Sequence, residues 1–373
     1  MTRCMLTAME GSSLVGMGQL IESTLTCIGV AWDLDAEYIG TRLKQKHAHG
    51  LSPHTFNSWF GLAHAFPIQN ASMKLRVVPR NVTQFGSKCG GSATNGPMKP
   101  SWLMGVEDSA SLCQPDGSSV YGSEHCWDRF WCGTIKRTPS SWYAALRFVR
   151  ANAYYASPKA KPHLAHERHA TTRGAVHVVI HYRSVKRRRL KNGFYMAVLY
   201  GLIKRHATYV DAMPAGQTPP RLRLEFHGDQ DPKASSMIRQ LMHAAANGTI
   251  DGRGLTDLKV HSVVADSLSF EATLNVHHQL VECDLLVPSH SSFSMSAALL
   301  GNMSVLFPAC DARTPLPHWW PIPCEDGVSS TGRPAVTIAG QLHRIPWPPP
   351  PNYGGRSLVH HRDRLRARAS PSL

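Results

Sequence analysis

Between residues 174 and 308, short apolar runs alternate with segments of helical periodicity, a pattern that few folds satisfy. The run at 175–182, AVHVVIHY, is mostly apolar and rich in β-branched residues, as expected of a strand buried on both faces of a sheet. The further predicted strands are 221–227, 258–265, 285–287 and 304–307. The predicted helices are 192–209, a segment opened by Pro232, 269–282 and 294–300. This order predicts an α/β domain with a parallel sheet and right-handed crossovers, whose ligands bind at the carboxyl ends of the strands.

The chain has 373 residues, which is enough for two domains of ordinary size. Residues 156–173 have the composition of a linker, so we expect a less regular α/β domain over 1–165 and a Rossmann-like domain over 166–325. Residues 326–373 are rich in proline and arginine, and we expect a disordered basic tail there. The expected elements of the first domain are helices at 14–32 and 141–155, a short strand into which residues 33–38 lead, and loops over 84–125.

The charge is strongly basic, with 40 Lys and Arg against 25 Asp and Glu, a net charge of +15. Positive residues concentrate at 183–191 and at 356–368. Such a surplus attracts polyanions, including nucleic acid, anionic glycans and nucleotide diphosphates. One interpretation is therefore a non-catalytic polyanion-binding or nucleic-acid-binding protein that uses these two clusters. A solvated basic face with a flexible tail is the simpler alternative.

Polar residues follow two of the predicted strands at their carboxyl ends. His181, Tyr182 and Arg183 close the first strand, and the guanidinium of an arginine can contact a diphosphate through two N–H groups at once. The sequence Ser-His-Ser-Ser-Phe at 289–293 follows the strand at 285–287 and opens a helix, where hydroxyls and free backbone N–H groups favour phosphate. Each feature also has an ordinary explanation, a surface arginine and a helix N-cap. Together they predict an anion site at one edge of the sheet.

The segment His181-Tyr182-Arg183 after an apolar strand resembles the H-x-R element of the α1,6- and O-fucosyltransferase-like families. Residues 270–294, with a helix, an acidic residue, a strand and a serine-rich turn, resemble the donor-site region of the same families. The resemblance covers about 120 residues in two short motifs. It implies a GT-B-like fold, a glycosyltransferase that transfers fucose from GDP-fucose to a glycan or protein acceptor with inversion, and no required metal.

Carried over by position, the resemblance implies that Arg183 contacts the diphosphate. The residues that would line the nucleotide pocket are His181, Asp266, Ser289, Ser291, Ser292 and Phe293. The chain departs from the family pattern after Arg183, where Ser184-Val185-Lys186 stands in place of an acidic residue. A degenerate transferase that binds glycan without catalysis is therefore a further hypothesis.

An inverting transferase needs a base to deprotonate the acceptor hydroxyl. The candidates are Glu10 and Glu22 near an N-terminal glycine-rich turn, and Asp229 and Asp231 after the second predicted strand. Glu22 is taken with Arg183 as the catalytic pair, although the sequence does not select among the four.

The cysteine and histidine patterns predict no metal site. The nine cysteines contain no CxxC pair, and the histidines are scattered. A crowded group of cysteines in a Gly- and Ser-rich region is a candidate for disulfides, namely Cys89, Cys113, Cys126 and Cys132. The resemblance implies the Golgi or the secretory pathway, with N-x-S/T sequons at Asn70, Asn81, Asn247 and Asn302, although no signal or anchor segment is visible.

Overall fold

The computed structural model divides into two compact units, one within residues 1–160 and one within residues 161–351. The predicted boundary between residues 165 and 166 lies outside the described residues and stays a prediction. The structure describes residues 5–10, 16–33, 37–43, 53–66, 74–77, 119–123, 146–154, 174–183, 190–229, 254, 256–263, 270–311, 316, 319–324 and 337–349.

The first unit contains a four-stranded parallel sheet in the order β2-β1-β4-β3. Its elements are β1 Met5–Glu10, α1 Met17–Asp33, β2 Glu37–Leu43, α2 Pro53–Phe60, α3 Leu62–Ala65, β3 Lys74–Val77, β4 Ser119–Ser123 and a π-helical turn Arg150–Tyr154. Helix α1 was predicted at 14–32, and it buries Leu20, Ile21, Leu25 and Ile28 at helical spacing. The loop prediction for 84–125 is wrong at its end, because β4 pairs with both β1 and β3.

The second unit contains a six-stranded sheet in the order β10-β9-β8-β5-β6-β7, and all five strand pairings are parallel. Its elements are β5 Ala175–Tyr182, α4 Asn192–Asp211, β6 Arg221–Asp229, β7 Thr256–Val263, α5 Phe270–Glu282, β8 Leu285–Val287, α6 Ser292–Leu300, β9 Ser304–Pro308, β10 Trp320–Ile322 and α7 Ile338–Arg344. The prediction of a parallel α/β sheet is confirmed. The helix predicted from Pro232 lies outside the described residues.

One face of the neighbouring strands β5 and β6 is apolar. Residues 176, 178 and 180 of β5 and residues 222, 224 and 226 of β6 are buried together, because alternate residues of a strand share a face. They pack against the buried side of α4, which includes Phe194, Val198, Leu199 and Leu202. This apolar layer anchors β5 and β6 to α4. It explains why residues 176, 178 and 180 of β5 and residues 222, 224 and 226 of β6 are apolar.

The opposite face of β5 and β6 combines polar residues with the buried Val179, and the prediction that β5 is buried on both faces is met at that residue. The parallel register places His177 beside Arg223 and His181 beside His227. Glu225 lies between these pairs on β6 and is 1% exposed. His177 and His181 therefore lie beside polar and charged residues of β6, and not beside apolar residues.

Helix α7 lies inside the segment 326–373 that the composition predicted to be disordered. The hydroxyl of Thr337 caps the helix by accepting a hydrogen bond from the N–H of Gly340, at 3.0 Å. Ile338, Leu342 and Ile345 are buried in the core shared with α4. The prediction is therefore wrong for residues 337–349, because three apolar residues at helical spacing are enough to dock this short helix.

Among the residues that the structure describes, no helix is long and apolar enough to span a bilayer.

Gly301 ends α6, and we expect that it cannot be replaced without loss of stability. A Cβ at this position would lie 2.7 Å from the carbonyl oxygen of Val281 and 2.2 Å from Cε of Met303. Gly301→Ala should lower the free energy of unfolding of the second unit by about 1–3 kcal/mol, since backbone must move to relieve the contact. Gly193→Ala is the matched control, because a Cβ there meets nothing within 4 Å. It should leave stability unchanged or raise it by up to about 1 kcal/mol in urea denaturation. Equal effects of the two substitutions would contradict the packing described here.

Candidate active site

The carboxyl ends of β5 and β8 lie side by side in the sheet of the second unit. Ile180 pairs with Val287 in the parallel register, so the residues that follow each strand emerge at the same edge. His181 and Arg183 come from β5 and the residue after it, and Ser289 and Ser291 come from the turn between β8 and α6. Two segments that are more than a hundred residues apart in sequence therefore meet at this edge, as the sequence predicted.

Two hydrogen bonds join these segments. Nδ1 of His181 lies 2.8 Å from Oγ of Ser289, and Nη1 of Arg183 donates to Oγ of Ser291 at 2.8 Å. Within the described part of the chain, Ser291 is the one hydrogen-bond partner of the Arg183 guanidinium. Since a guanidinium has five N–H donors, the others are available to a ligand at the sheet edge.

The hydroxyl of Ser294 stabilises the serine turn at residues 289–293. Ser294 is fully buried; its Oγ accepts the N–H of Ser289 at 3.2 Å and lies 3.2 Å from the carbonyl oxygen of Ser291, to which it donates. Ser291 also caps α6, because its Oγ accepts the N–H of Phe293 at 3.3 Å. One hydroxyl thus contacts both the first turn of a nine-residue helix and the strand-end arginine. The positive end of the helix and the guanidinium are thereby held together.

Phe293 packs between two imidazole rings. Its ring centroid lies 5.8 Å from that of His181 and 5.2 Å from that of His277 on α5. His277 is fully buried, and its Nε2 lies 3.0 Å from Oγ of Ser296 on α6. The aromatic side chain therefore supports the turn and packs against His181.

His181 is neutral in the folded protein at ordinary pH. Burial, followed by the charges of His227 and Arg183, lowers the pKa of His181 from 6.5 to about 3. Among the described residues that form this contact, Arg183 therefore supplies the positive charge, while the imidazole of His181 acts as a neutral hydrogen-bonding group. A cation beside the N-terminus of a helix is an arrangement that binds phosphate and other oxyanions.

The polar face of β6 carries a buried carboxylate, that of Glu225, which the sequence did not reveal. Oε1 of Glu225 accepts a hydrogen bond from Nε of Arg223 at 2.6 Å, and Oε2 lies 3.2 Å from Nε2 of His177 and 3.7 Å from Nε2 of His227. Burial raises the pKa of Glu225, but the neighbouring His177 and His227 and the charge of Arg223 lower it by more and hold it well below its usual range. Polar residues at every second position of 223–227 were the signal that could have revealed this cluster.

The other predicted site residues fall in different places. Ser292 is the first residue of α6 and is partly buried beside Ser291. Glu22 belongs to α1 in the first unit and is 1% exposed, and Glu10 ends β1. Asp229 ends β6, whereas Asp231 and Asp266 lie outside the described residues. The roles of Glu22 as base and Asp266 as nucleotide ligand stay predictions.

No protein-family model and no curated protein sequence matches the chain. Solved structures with a similar chain path include a mutant of Arabidopsis thaliana FUT1 in complex with GDP, with a TM-score of 0.42 and 12% identity over 85% of this chain and 74% of that one. They also include the fucosyltransferase NodZ from Bradyrhizobium, with a TM-score of 0.39, 12% identity and coverage of 81% and 94%. The E. coli heptosyltransferase WaaC with ADP-2-deoxy-2-fluoro heptose gives a TM-score of 0.34, 11% identity and coverage of 90% and 97%.

The lowered pKa of His181 predicts a pH dependence of folding stability. The unfolded chain takes up the proton near pH 6.5 and the folded chain only near pH 3, so stability should fall as the pH falls between these values. His181→Asn keeps a polar atom near the position of Nδ1 but does not titrate. The free energy of unfolding of this variant should fall less steeply with decreasing pH than that of the wild type. The two slopes should differ by up to about 1.4 kcal/mol per pH unit. Denaturation at several pH values measures the slopes, with the exposed His343→Asn as control. Equal slopes for the wild type and His181→Asn would contradict the lowered pKa of His181.

The Glu225 cluster predicts a stability contribution that acid removes. Glu225→Gln should lower the free energy of unfolding by about 3 kcal/mol at neutral pH, because it leaves Arg223 and His177 without their buried carboxylate. Since the folded pKa is depressed, this contribution is present above the ordinary carboxyl pKa of 4.5 and is lost as the pH falls below it. Urea denaturation should therefore show the two proteins converging in acid. The control is Asp257→Asn, whose exposed pair with Arg221 should be worth no more than about 1 kcal/mol. A loss at neutral pH as small as that of the control would contradict the role given to Glu225.

Proposed function

We propose that the protein is a glycosyltransferase whose second unit binds the diphosphate of a nucleotide sugar at the edge formed by Arg183 and Ser291. The observation that carries the proposal is the hydrogen bond between these two side chains, which joins a strand-end cation to the N-terminus of α6. A parallel α/β sheet places its ligands at this edge. The resemblance of the H-x-R element and the serine turn to fucosyltransferase-like families favours GDP-fucose as the donor.

The proposed chemistry is displacement of a nucleotide diphosphate from the sugar carbon by an acceptor hydroxyl. Negative charge develops on the departing β-phosphate, and a fixed cation with oriented N–H donors stabilises that charge more than it stabilises the ground state. Arg183 would supply the cation and the first turn of α6 the N–H groups. His181, neutral and bonded to Ser289, would hold the turn without adding charge.

The finer parts of the proposal rest on the family resemblance. They are transfer with inversion, a glycan or glycoprotein acceptor, no required metal, and a place in the Golgi or the secretory pathway. Glu22 as the base belongs to the same group, and deprotonation of the acceptor hydroxyl would be its role. A non-catalytic polyanion-binding or nucleic-acid-binding protein is the alternative, and the experiment below distinguishes it.

Thermal unfolding with GDP, UDP, CDP and ADP tests the proposal. GDP in large excess over its Kd should raise Tm by several degrees, since saturation to 100 times Kd stabilises by about 2.7 kcal/mol. Arg183→Ala should weaken binding by about 10- to 150-fold, the loss of a charge-assisted hydrogen bond worth about 1.5–3 kcal/mol. Arg344→Ala removes an exposed arginine from α7 and is the matched control that should bind normally.

The outcomes separate the hypotheses. A shift with UDP alone would retain the transferase and discard fucose from GDP as the donated sugar. Stabilisation by no nucleotide, together with binding of heparin or DNA that weakens steeply with salt, would overturn the proposal in favour of the polyanion binder.

A further inference from the structure

A second cluster of chemically reactive side chains lies at the same edge of the sheet, next to the site described above. His290 lies in the turn after β8, Cys310 follows β9, and Cys324 follows β10. These three strands are successive neighbours in a parallel sheet, so their carboxyl ends meet. The imidazole nitrogen and the two sulfur atoms lie within 4.8 Å of one another.

In this structure the two cysteines form a disulfide. Nε2 of His290 lies 3.4 Å from Sγ of Cys310, and the backbone N–H of Cys310 donates to Sγ of Cys324 at 3.1 Å. Cys310 is exposed, and His290 and Cys324 are partly buried. A soluble reductant can therefore reach one sulfur of the bond, while the other lies against the protein.

We propose that His290, Cys310 and Cys324 form a redox-controlled zinc site, which is closed by the disulfide and opened by reduction. A dithiol reductant transfers two electrons to the disulfide and is itself oxidised to a cyclic disulfide, and each cysteine sulfur gains a proton. Binding of Zn²⁺ then displaces both thiol protons to solvent and uses the neutral imidazole of His290 as third ligand. A Cys₂His set leaves the fourth tetrahedral position for water or another ligand.

One edge of this ligand set is already in place, and reduction must break the disulfide before the two sulfur atoms can separate to the spacing of metal ligands. With Zn–S at about 2.3 Å and Zn–N at about 2.0–2.1 Å, a tetrahedral ion separates its nitrogen and sulfur ligands by about 3.6 Å. The distance from His290 to Cys310 is already 3.4 Å, so this edge of the tetrahedron exists before the ion binds. The N–H group of Cys310 directed at Cys324 would stabilise a thiolate there, as outer hydrogen bonds do in metal sites. This site departs from the sequence prediction of no metal site, because the three ligands have no motif spacing and only the sheet brings them together.

The cluster is also covalently linked to the proposed donor site, because His290 is the neighbour in sequence of two residues of that site. His290 lies between Ser289 and Ser291, which bond to His181 and Arg183. An ion held by His290 would fix this turn, and its release would free it. This coupling rests on the proposed function, whereas binding of the ion does not.

Uptake of Co²⁺, a spectroscopic probe for zinc sites, tests the proposal on the full chain without any nucleotide. After reduction and removal of the reductant under anaerobic conditions, the wild type should bind one more Co²⁺ per chain than Cys324→Ser, with thiolate-to-cobalt charge-transfer absorption that Zn²⁺ abolishes. His290→Ala should bind at this site at least tenfold more weakly. Cys283→Ser is the matched control, since Cys283 is buried, forms no disulfide and lies outside the cluster, and it should take up as much metal as the wild type.

The oxidised wild type should lack this one equivalent. Equal uptake by the reduced wild type and reduced Cys324→Ser would overturn the proposal, as would undiminished uptake by the oxidised protein. Because the readout is metal content, failure of nucleotide binding at Arg183 would leave this result unaffected.

Discussion

The parallel pairing of β5 with β8 is the constraint on which the candidate site depends. It joins segments that are 108 residues apart in sequence and places both of their carboxyl ends at one edge. In an antiparallel pair the same residues would emerge at opposite edges, and neither the histidine nor the arginine could contact the serine turn. Two side-chain hydrogen bonds then fix the relative positions of a cation and a helix N-terminus, which is the arrangement that oxyanion binding requires.

The two faces of strands β5 and β6 have different roles. The apolar face of β5 and β6 packs on α4 and provides the hydrophobic burial that holds the unit together. The polar face surrounds one carboxylate, Glu225, with His177, Arg223 and His227. Since that carboxylate stays ionised and His181 stays neutral, Arg183 supplies the positive charge among the described residues that contact the serine turn. The polar face therefore supports the electrostatics of the edge from within the sheet.

Particular residues show where pattern analysis succeeds and where it stops. The strands at 175–182 and 285–287 match the predicted bounds because each is a short apolar run bounded by polar residues. Strand β4 was missed, since Ser, Val, Tyr and Gly in a Gly- and Ser-rich region carry no periodicity and form a strand only between β1 and β3. Helix α7 was missed because proline-rich flanking sequence hid three apolar positions that α4 buries. The Glu225 cluster was missed although Arg223, Glu225 and His227 alternate along β6, because polar alternation also describes a solvated face and only the pairing with β5 adds His177.

The sequence by itself determined the α/β class of the second unit, the order of its elements and the residues that end its strands. These properties are local, since periodicity, β-branched content and helix-capping residues act over a few neighbours. The tertiary structure decided which strand ends meet, and hence that His181 contacts Ser289, that Arg183 contacts Ser291, and that His290 lies against Cys310. It also decided which charges are buried together, because their pairing depends on the order of the strands in the sheet, which local patterns do not encode.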